Sequence, residues 1–324
     1  MSIFIKELYG KIINKKAISQ EEANQLFEVS EDDLFHFFSY ANLIRRRFKG
    51  NKISLCAITN AKSGDCFEDC KFCAQSRHHN TGIAVYPLIS VEEMLKRCDL
   101  AVAGGAHRFC LVTSGCSVDD KELDIICKGI SEIKKKYPAL KLDASLGKIN
   151  YEKARRLKDT GLDRYNHNLE TVPEFFAHIC STHTYKDRLS TIQILKKAKL
   201  EVCCGGIFGL GENRLQRAEF AFIIKELDID SVAINFLNPI EGTAFAGKAP
   251  LEPLELIKIV AAFRFIMPDK EIRLCGGRQK NLRSLQSLAF CAGADATIIG
   301  DLLTTKGGLV KEDIQMFTDL GFTL

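Results

Sequence analysis

Short apolar runs alternate with amphipathic stretches from residue 53 to the end of the chain. The stretches repeat apolar residues at three- and four-residue intervals, the spacing of one helix face. Strands that alternate with helices in this way predict a (β/α)8 TIM-type barrel, and an open doubly wound sheet is the alternative. The predicted strands are Ile53–Thr59, Arg108–Ser114, Lys141–Leu146, Arg164–Leu169, Glu201–Phe208, Ser231–Leu237, Glu271–Gly276 and Ala296–Gly300.

Helices are predicted between these strands and ahead of the first one. Ser19 precedes Glu22, and Ser90 precedes Glu93, at the spacing of a capping box. Residues 1–48 have a helical pattern, so we expect an N-terminal helical extension over 1–48 and the barrel over 49–324. The later helices are predicted at Ser90–Ala103, Asp119–Tyr137, Tyr151–Thr160, Lys186–Lys199, Asn213–Leu227, Leu254–Phe265, Asn281–Ala292 and Lys311–Leu320.

Composition narrows the class of protein. The 324 residues are 46% hydrophobic and 27% charged, as in an ordinary enzyme. The net charge of +4 and the lack of a long apolar run or signal-peptide pattern predict no nucleic-acid partner, no membrane partner and a cytoplasmic location. Thirteen cysteines in such a chain indicate reduced thiols that bind metal, rather than a secreted disulfide framework.

Three thiols fall within one loop after the first predicted strand. Cys66, Cys70 and Cys73 have the spacing Cys-x3-Cys-x2-Cys. Thiolates bind zinc or iron–sulfur clusters, and three of them leave one iron of a [4Fe–4S] cluster free to take a small molecule. Zinc would need a fourth ligand, which His78 or His79 could supply. Loops after the strands carry function in such barrels, so we favour an open iron–sulfur site.

A second group of thiols lies inside predicted strands. Cys110, Cys203 and Cys275 interrupt apolar runs, and Arg273 shares a strand face with Cys275. Cys203 and its neighbour Cys204 must point in opposite directions. Any one of these thiols fits a core position. Several of them around a buried arginine make a second metal site an explanation that competes with core packing.

A row of polar residues ends the fourth predicted strand. Asn166, Asn168 and Glu170 share one face, and Asn235 of the sixth strand is a weaker signal of the same kind. Burying such groups without partners costs roughly 1–3 kcal/mol each, so a polar ligand is expected, with an internally satisfied network as the alternative. Arg188 is either a surface helix charge or a carboxylate partner.

Taken together, these motifs resemble the radical S-adenosylmethionine superfamily and, over about residues 50–324, the biotin synthase family. Phe72 before the last loop thiol is part of the superfamily resemblance. The narrower resemblance rests on Gly64–Gln75, Arg108–Cys110, Tyr165–Leu169, Thr184–Tyr185, Arg188–Leu189, Val202–Cys203, Gly205–Ile207, Ile272–Leu274, Gly277–Arg278 and Leu302–Thr305. It implies a sulfurtransferase that inserts sulfur into dethiobiotin to form biotin, with S-adenosylmethionine and a [4Fe–4S] cluster as cofactors. Those cofactors carry the radical chemistry, so no side chain is expected to be catalytic in its own right.

The resemblance also implies a role for each matching residue. Cys66, Cys70 and Cys73 would bind the [4Fe–4S] cluster. Asn168 and Glu170 would bind the ribose of S-adenosylmethionine, and the family usually has Asp in place of Glu170. Arg188 would bind the methionine carboxylate. The implied dethiobiotin contacts are Asn166 and Asn235 at the ring and Thr304 and Thr305 at the carboxylate tail.

An auxiliary cluster is where this chain departs from the family. The family's sulfur donor is a [2Fe–2S] cluster with three cysteine ligands and one arginine, and Cys110, Cys203 and Arg273 match three of the four. Asp143 stands where the family has the remaining cysteine, while Cys275 stands where it usually has serine. Our hypothesis is an auxiliary cluster held by Cys110, Cys203 and Cys275, with Arg273 a ligand or close neighbour. Its type, [4Fe–4S]-like with an open iron or a rearranged [2Fe–2S], stays open.

The expected partners follow from the same resemblance. They are dethiobiotin, reduced flavodoxin or ferredoxin as electron donor, the iron–sulfur assembly machinery and a second copy of the chain in a homodimer. The alternatives are a related radical enzyme, of the hydrogenase-cofactor maturase or methylornithine synthase type, and a non-enzymatic iron–sulfur carrier. A carrier has no use for the polar row at the fourth strand.

Overall fold

A closed parallel barrel forms the centre of the molecule. The computed structural model describes residues 2–324, with side chains from residue 3. In this part of the chain the strands pair in sequence order, and β1 pairs with β8 to close the ring. The predicted TIM-type barrel is confirmed, and the doubly wound sheet is wrong. The strands are β1 (Ser54–Lys62), β2 (Arg108–Thr113), β3 (Lys141–Ser145), β4 (Arg164–Asn166), β5 (Glu201–Phe208), β6 (Ser231–Phe236), β7 (Glu271–Leu274) and β8 (Ala296–Ile298).

Helices surround the barrel and cover its outer face. The N-terminal ones are α1 (Ser2–Ile13), α2 (Gln20–Phe27) and α3 (Leu34–Lys49). The others are α4 (Val91–Ala103), α5 (Asp120–Lys136), α6 (Tyr151–Asp159), α7 (Pro173–Phe176), α8 (Tyr185–Lys197), α9 (Arg214–Glu226), α10 (Pro253–Ile266), α11 (Arg278–Leu282), α12 (Gln286–Cys291) and α13 (Val310–Asp319). Within residues 2–324, no helix combines the length and apolar character that crossing a bilayer requires.

The N-terminal helices pack on the barrel's own helices. Helix α2 lies against α9, and α3 lies against α10. Phe27 and Phe37 are fully buried, and the Phe37 ring centroid is 5.1 Å from that of Phe265 on α10. The helical character of the segment is therefore as expected, while its separation at residue 48 as a domain of its own stays a prediction.

The helix starts follow the capping signals, with one difference. Ser19 and Glu22 form the full capping box at α2. At α4 the Ser90 hydroxyl accepts from the Glu93 backbone N–H at 3.2 Å, but the Glu93 carboxylate binds Arg97 at 2.8 Å instead of returning to the cap. The second half of that predicted box is therefore wrong, because a nearby guanidinium is the stronger partner for a carboxylate.

Two predicted elements differ from the structure in their extent. Strand β4 ends at Asn166 rather than Leu169, and Glu170 has φ +70°. The helix predicted over Asn281–Ala292 is split into α11, a 3-10 turn and α12, with Arg283 at φ +53°. Residues with side chains rarely adopt this conformation inside regular elements, so Arg283 marks the interruption of the predicted helix, whereas β4 has already ended four residues before Glu170. The short helix α7 was not predicted.

A layer of charged side chains fills the barrel at the N-terminal ends of its strands. Glu271 contacts Arg164 and Arg273, each at 2.7 Å. Arg108 contacts Glu201 at 2.8 Å and Asp143 at 3.3 Å. Buried charges are tolerated only when paired, so this network forms a floor beneath the space nearer the strands' C-terminal ends.

Candidate active site

The Cys66–Cys73 loop is folded by its own backbone and by Gln75. The Cys66 N–H donates to the Gln75 carbonyl at 3.0 Å, and the Gln75 side-chain oxygen accepts from the Gly64 N–H at 3.1 Å. Gly64 has φ +73°, which lets the chain turn directly after β1. As a result Cys66, Cys70 and Cys73 all line one cavity of about 240 Å³ at the C-terminal end of the barrel.

The loop thiols favour the neutral form when no metal is bound. Burial raises the pKa of Cys66 and raises that of Cys73 to about 11. The hydrogen bond with Cys180 raises the pKa of Cys70. Metal ligation requires the thiolate, so binding iron at this loop would release protons.

Asn168, Glu170 and Arg188 line the same cavity as the loop thiols. The Arg188 side chain is only 15% exposed, which excludes the surface-charge alternative. Its Nη1 donates to the Asn168 carbonyl at 2.9 Å and lies 3.6 Å from Glu170 Oε1. Burial raises the pKa of Glu170, and the nearby Arg188 opposes that shift. The roles of these three residues stay predictions, but the fold brings them to the thiol loop.

A cluster that sequence reasoning missed surrounds Cys70. Its Sγ is 3.8 Å from the Sγ of Cys180, which is 3.2 Å from His183 Nδ1. Arg188 Nε lies 2.9 Å from His183 Nε2, and His183 Nδ1 lies 2.6 Å from Glu68 Oε2. In the sequence, nothing distinguishes Cys180 from a core or surface thiol.

The two histidines offered as zinc ligands have other partners. His78 Nε2 is 3.0 Å from the Phe67 carbonyl, and His79 Nδ1 is 2.9 Å from the Cys73 carbonyl. Both side chains hold the loop backbone. Among the described residues, the histidine within ligand distance of a loop thiol is His183.

A second cavity of about 290 Å³ lies deeper in the barrel, above the charged floor. Asn166, Asn168 and Phe72 line both cavities, so the two adjoin. The strand thiols and the residues predicted to bind dethiobiotin face this second space. They are Cys110, Cys203, Arg273, Cys275, Asn166, Asn235, Thr304 and Thr305, and Cys56 of β1 joins them although the sequence did not single it out.

The hydrogen bonds that the strand thiols donate are long and weak. Cys110 donates to the Leu111 carbonyl at 3.9 Å, and Cys275 donates to the Arg273 carbonyl at 3.6 Å. Cys203 contacts the Ser231 hydroxyl at 3.5 Å and faces the interior, while Cys204 packs in the outer core. Burial raises the pKa of Cys110 and Cys275 well above the ordinary value. Several buried soft donors with weak partners fit an iron–sulfur group.

Polar atoms around this cavity are only partly satisfied. Asn235 is internally satisfied, since it donates to the Gly206 carbonyl at 3.2 Å and accepts from the Gly276 N–H at 2.9 Å. Asn166 Nδ2 contacts Cys110 Sγ at 3.3 Å, but no described residue bonds its Oδ1. A buried orphan of this kind indicates a polar ligand, whereas Asn235 fits the alternative of a closed network.

Comparison with known proteins gives the site its context. Residues 62–224 match the family model of the Radical SAM superfamily, and residues 233–323 match the Biotin and Thiamin Synthesis associated domain. The chain is 48% identical over 321 residues to the biotin synthase of Citrifermentans bemidjiense, covering 99% of this chain and 98% of that one. It is 46% identical to the biotin synthase of Geobacter sulfurreducens, covering 98% and 97%. The chain belongs to the biotin synthase family.

Structural likeness alone is less specific than this family membership. A crystal structure of methylornithine synthase superposes with a TM-score of 0.85 over 98% of this chain and 96% of that one, at 18% identity. At this level of identity, the likeness shows a common barrel fold alone and carries no information about the substrate. Because the curated relatives that match this chain over its full length are biotin synthases, the alternatives of a related radical enzyme and of an iron–sulfur carrier are not favoured.

Proposed function

We infer that this protein inserts sulfur into dethiobiotin to form biotin, in a reaction that depends on S-adenosylmethionine. The observation that carries the inference is the pair of adjoining cavities in a member of the biotin synthase family. One cavity contains the Cys66–Cys73 loop, and the other contains the strand thiols. When bound, the [4Fe–4S] cluster and S-adenosylmethionine supply the abstraction of hydrogen atoms from unreactive carbons.

The outer cavity suits S-adenosylmethionine. Cys66, Cys70 and Cys73 would hold the cluster, and the Arg188 guanidinium would pair with the methionine carboxylate. Asn168 and Glu170 offer an amide and a carboxylate to the ribose hydroxyls. Glutamate is one methylene longer than the family's usual aspartate, and its position in the lining of the outer cavity supports its reaching the ribose.

The inner cavity suits dethiobiotin. Asn166 and Asn235 would contact the ureido ring, and Thr304 and Thr305 would hold the carboxylate tail. Asn166 also lines the outer cavity, so a substrate bound to it lies next to the cofactor space. Apolar residues such as Ile58 and Ile298 complete the lining and exclude water, which protects reactive species from solvent.

The auxiliary cluster would occupy the deep end of the inner cavity, next to the charged floor. Cys110, Cys203 and Cys275 are its proposed ligands, with Arg273 beside them. Both a four-iron cluster with an open iron and a rearranged [2Fe–2S] cluster remain compatible with three thiols. Counting iron and sulfide in protein that lacks the loop cysteines separates the two, since two irons per chain would exclude the four-iron type.

The partners proposed for the reaction follow the family. They are reduced flavodoxin or ferredoxin as electron donor, the iron–sulfur assembly machinery and a second copy of the chain. A cytoplasmic location is part of the same proposal and is supported by thirteen cysteines that pair in no disulfide among the described residues.

Incubation of the reduced, cluster-loaded protein with S-adenosylmethionine and dethiobiotin tests the function. We expect 5′-deoxyadenosine and biotin as products. Failure to form 5′-deoxyadenosine would overturn the radical reaction. Formation of 5′-deoxyadenosine without biotin would overturn only the assignment of dethiobiotin.

A further inference from the structure

A fourth buried thiol belongs to the inner cavity. Cys56 of β1 is 0% exposed and lines that cavity with Cys110, Cys203 and Cys275. From the sequence it was indistinguishable from a core residue. Its Sγ donates to the Ala57 carbonyl at 3.7 Å, a contact as weak as those of the other three thiols.

The pleat of β1 fixes the direction of Cys56. Cys56 and Ile58 both line the cavity, while Leu55 and Ala57 pack into the core outside the barrel. Alternation along a strand therefore points the thiol inward. Cys56 also pairs in register with Ile298 of β8, the residue that packs against Cys203 and Cys275.

Arg273, the family's fourth ligand, is engaged elsewhere. Its Nη2 donates to Glu271 at 2.7 Å and its Nη1 to Asp143 at 3.3 Å. Two carboxylates stabilise the guanidinium cation, which has no lone pair to offer iron. Asp143 stands at the position where the family has a ligand thiol, so one substitution removes a ligand and also holds the arginine in its charged form.

We propose that Cys56 is the fourth protein ligand of the auxiliary cluster, so that β1, β2, β5 and β7 each supply one thiolate while Arg273 stays ion-paired beside them. The proposal rests on the auxiliary cluster of the proposed function and adds a ligand to it, so that a four-iron cluster held in this way would have no open iron.

Iron counting with Mössbauer spectroscopy tests the ligand directly. The parent is the full chain carrying Cys66→Ala, Cys70→Ala and Cys73→Ala, assembled without oxygen from ferrous iron and sulfide, so that only the second cluster contributes. Cys56→Ala and Cys56→Ser are compared in this parent. Cys204→Ala is the matched control, since Cys204 is equally buried but packs in the outer core. Circular dichroism of the cluster-free proteins shows that each variant folds.

We expect Cys56→Ala to lose about half or more of the bound iron, because a buried site with a missing ligand holds its metal less tightly. Cys56→Ser should keep iron but shift the isomer shift of one iron site, since oxygen replaces sulfur. Cys204→Ala should match the parent. A folded Cys56→Ala with the iron content and spectrum of the parent would overturn the proposal. A parent without any second cluster would instead overturn the auxiliary cluster itself.

Discussion

A single buried carboxylate, Asp143, lies among the arginines of the charged floor. Asp143 is 1% exposed and lies 3.3 Å from both Arg108 and Arg273. A buried aspartate at this position is tolerated because two guanidinium groups flank it. Asp143 therefore stabilises the positive charge of Arg273, which lines the same cavity as the strand thiols. Cysteine spacing alone does not reveal that coupling.

Glu170 offers a test of the S-adenosylmethionine site at the scale of one residue. We expect Glu170→Gln to bind S-adenosylmethionine roughly tenfold more weakly at neutral pH, because hydrogen bonds to a charged group contribute about 1.5–3 kcal/mol. Burial raises the pKa of Glu170, so the native carboxylate becomes protonated at a higher pH than an exposed glutamate does. Affinity of the native protein should therefore fall as the pH is lowered. Equilibrium dialysis over a pH series measures both effects.

The control for this substitution is the exposed Glu174 of α7. Glu174→Gln should keep the affinity and the pH profile of the native protein, whereas Glu170→Gln should bind with little dependence on pH. An unchanged affinity in Glu170→Gln would remove Glu170 from the binding site.

At the scale of elements, regular strands were predictable and irregular ones were not. The bounds of β5, Glu201–Phe208, were predicted as observed because its apolar run is continuous. β4 was predicted too long because its regular pairing with β5 ends at Asn166, a tertiary feature that no local pattern encodes. The site residues divide in the same way. Those in motifs were predicted from the sequence, whereas Cys56 and Cys180 were missed because a single thiol in an apolar segment cannot be told from a core residue.

Substitution of Gly206 in β5 tests whether the close packing of this strand positions Glu170. A Cβ at Gly206 would lie 2.3 Å from the Glu170 carbonyl oxygen and 2.8 Å from Phe220 Cε1. Gly206→Ala should therefore displace the backbone at Glu170, weaken S-adenosylmethionine binding and lower the free energy of unfolding by about 1–3 kcal/mol. Calorimetric titration and urea unfolding give the two quantities.

Gly247 is the matched glycine, because a Cβ there meets nothing within 4 Å. Gly247→Ala should leave both quantities close to native. If Gly206→Ala binds S-adenosylmethionine as tightly as Gly247→Ala does, the approach of β5 to Glu170 does not position the carboxylate.

At the scale of the whole molecule, the N-terminal helices are part of the barrel's packing. Deleting residues 1–48 would expose Phe265 and the rest of the α10 face that α3 covers. Buried aromatic side chains contribute about 1.5–3 kcal/mol each, so we expect the shortened chain to aggregate or to unfold at a much lower temperature. Size-exclusion chromatography and thermal unfolding measure this. A monomeric 49–324 fragment with the native unfolding temperature would instead establish the extension as a separable domain.

The charged floor spans several strands, so its contribution belongs to the stability of the whole barrel. Glu271 contacts Arg164 and Arg273 and accepts from Ser231 at 2.7 Å. Burial acts to raise the pKa of Glu271, but the two arginines outweigh it and hold the pKa below the usual range. A carboxyl group whose pKa is lowered by folding stabilises the protein above its unfolded pKa of about 4.3, and that stabilisation is lost as the pH falls.

We therefore expect Glu271→Gln to lower the free energy of unfolding by about 3–5 kcal/mol at neutral pH, because it leaves two buried guanidinium groups without their shared carboxylate. The difference from the native protein should shrink as the pH falls into the acid range, where Glu271 itself becomes protonated. Urea unfolding at a series of pH values measures the trend. Glu132→Gln, which removes only a surface pair with Lys135, should cost less than about 1 kcal/mol. A constant difference between native protein and Glu271→Gln at every pH would mean that lost packing, rather than lost charge, destabilises the barrel.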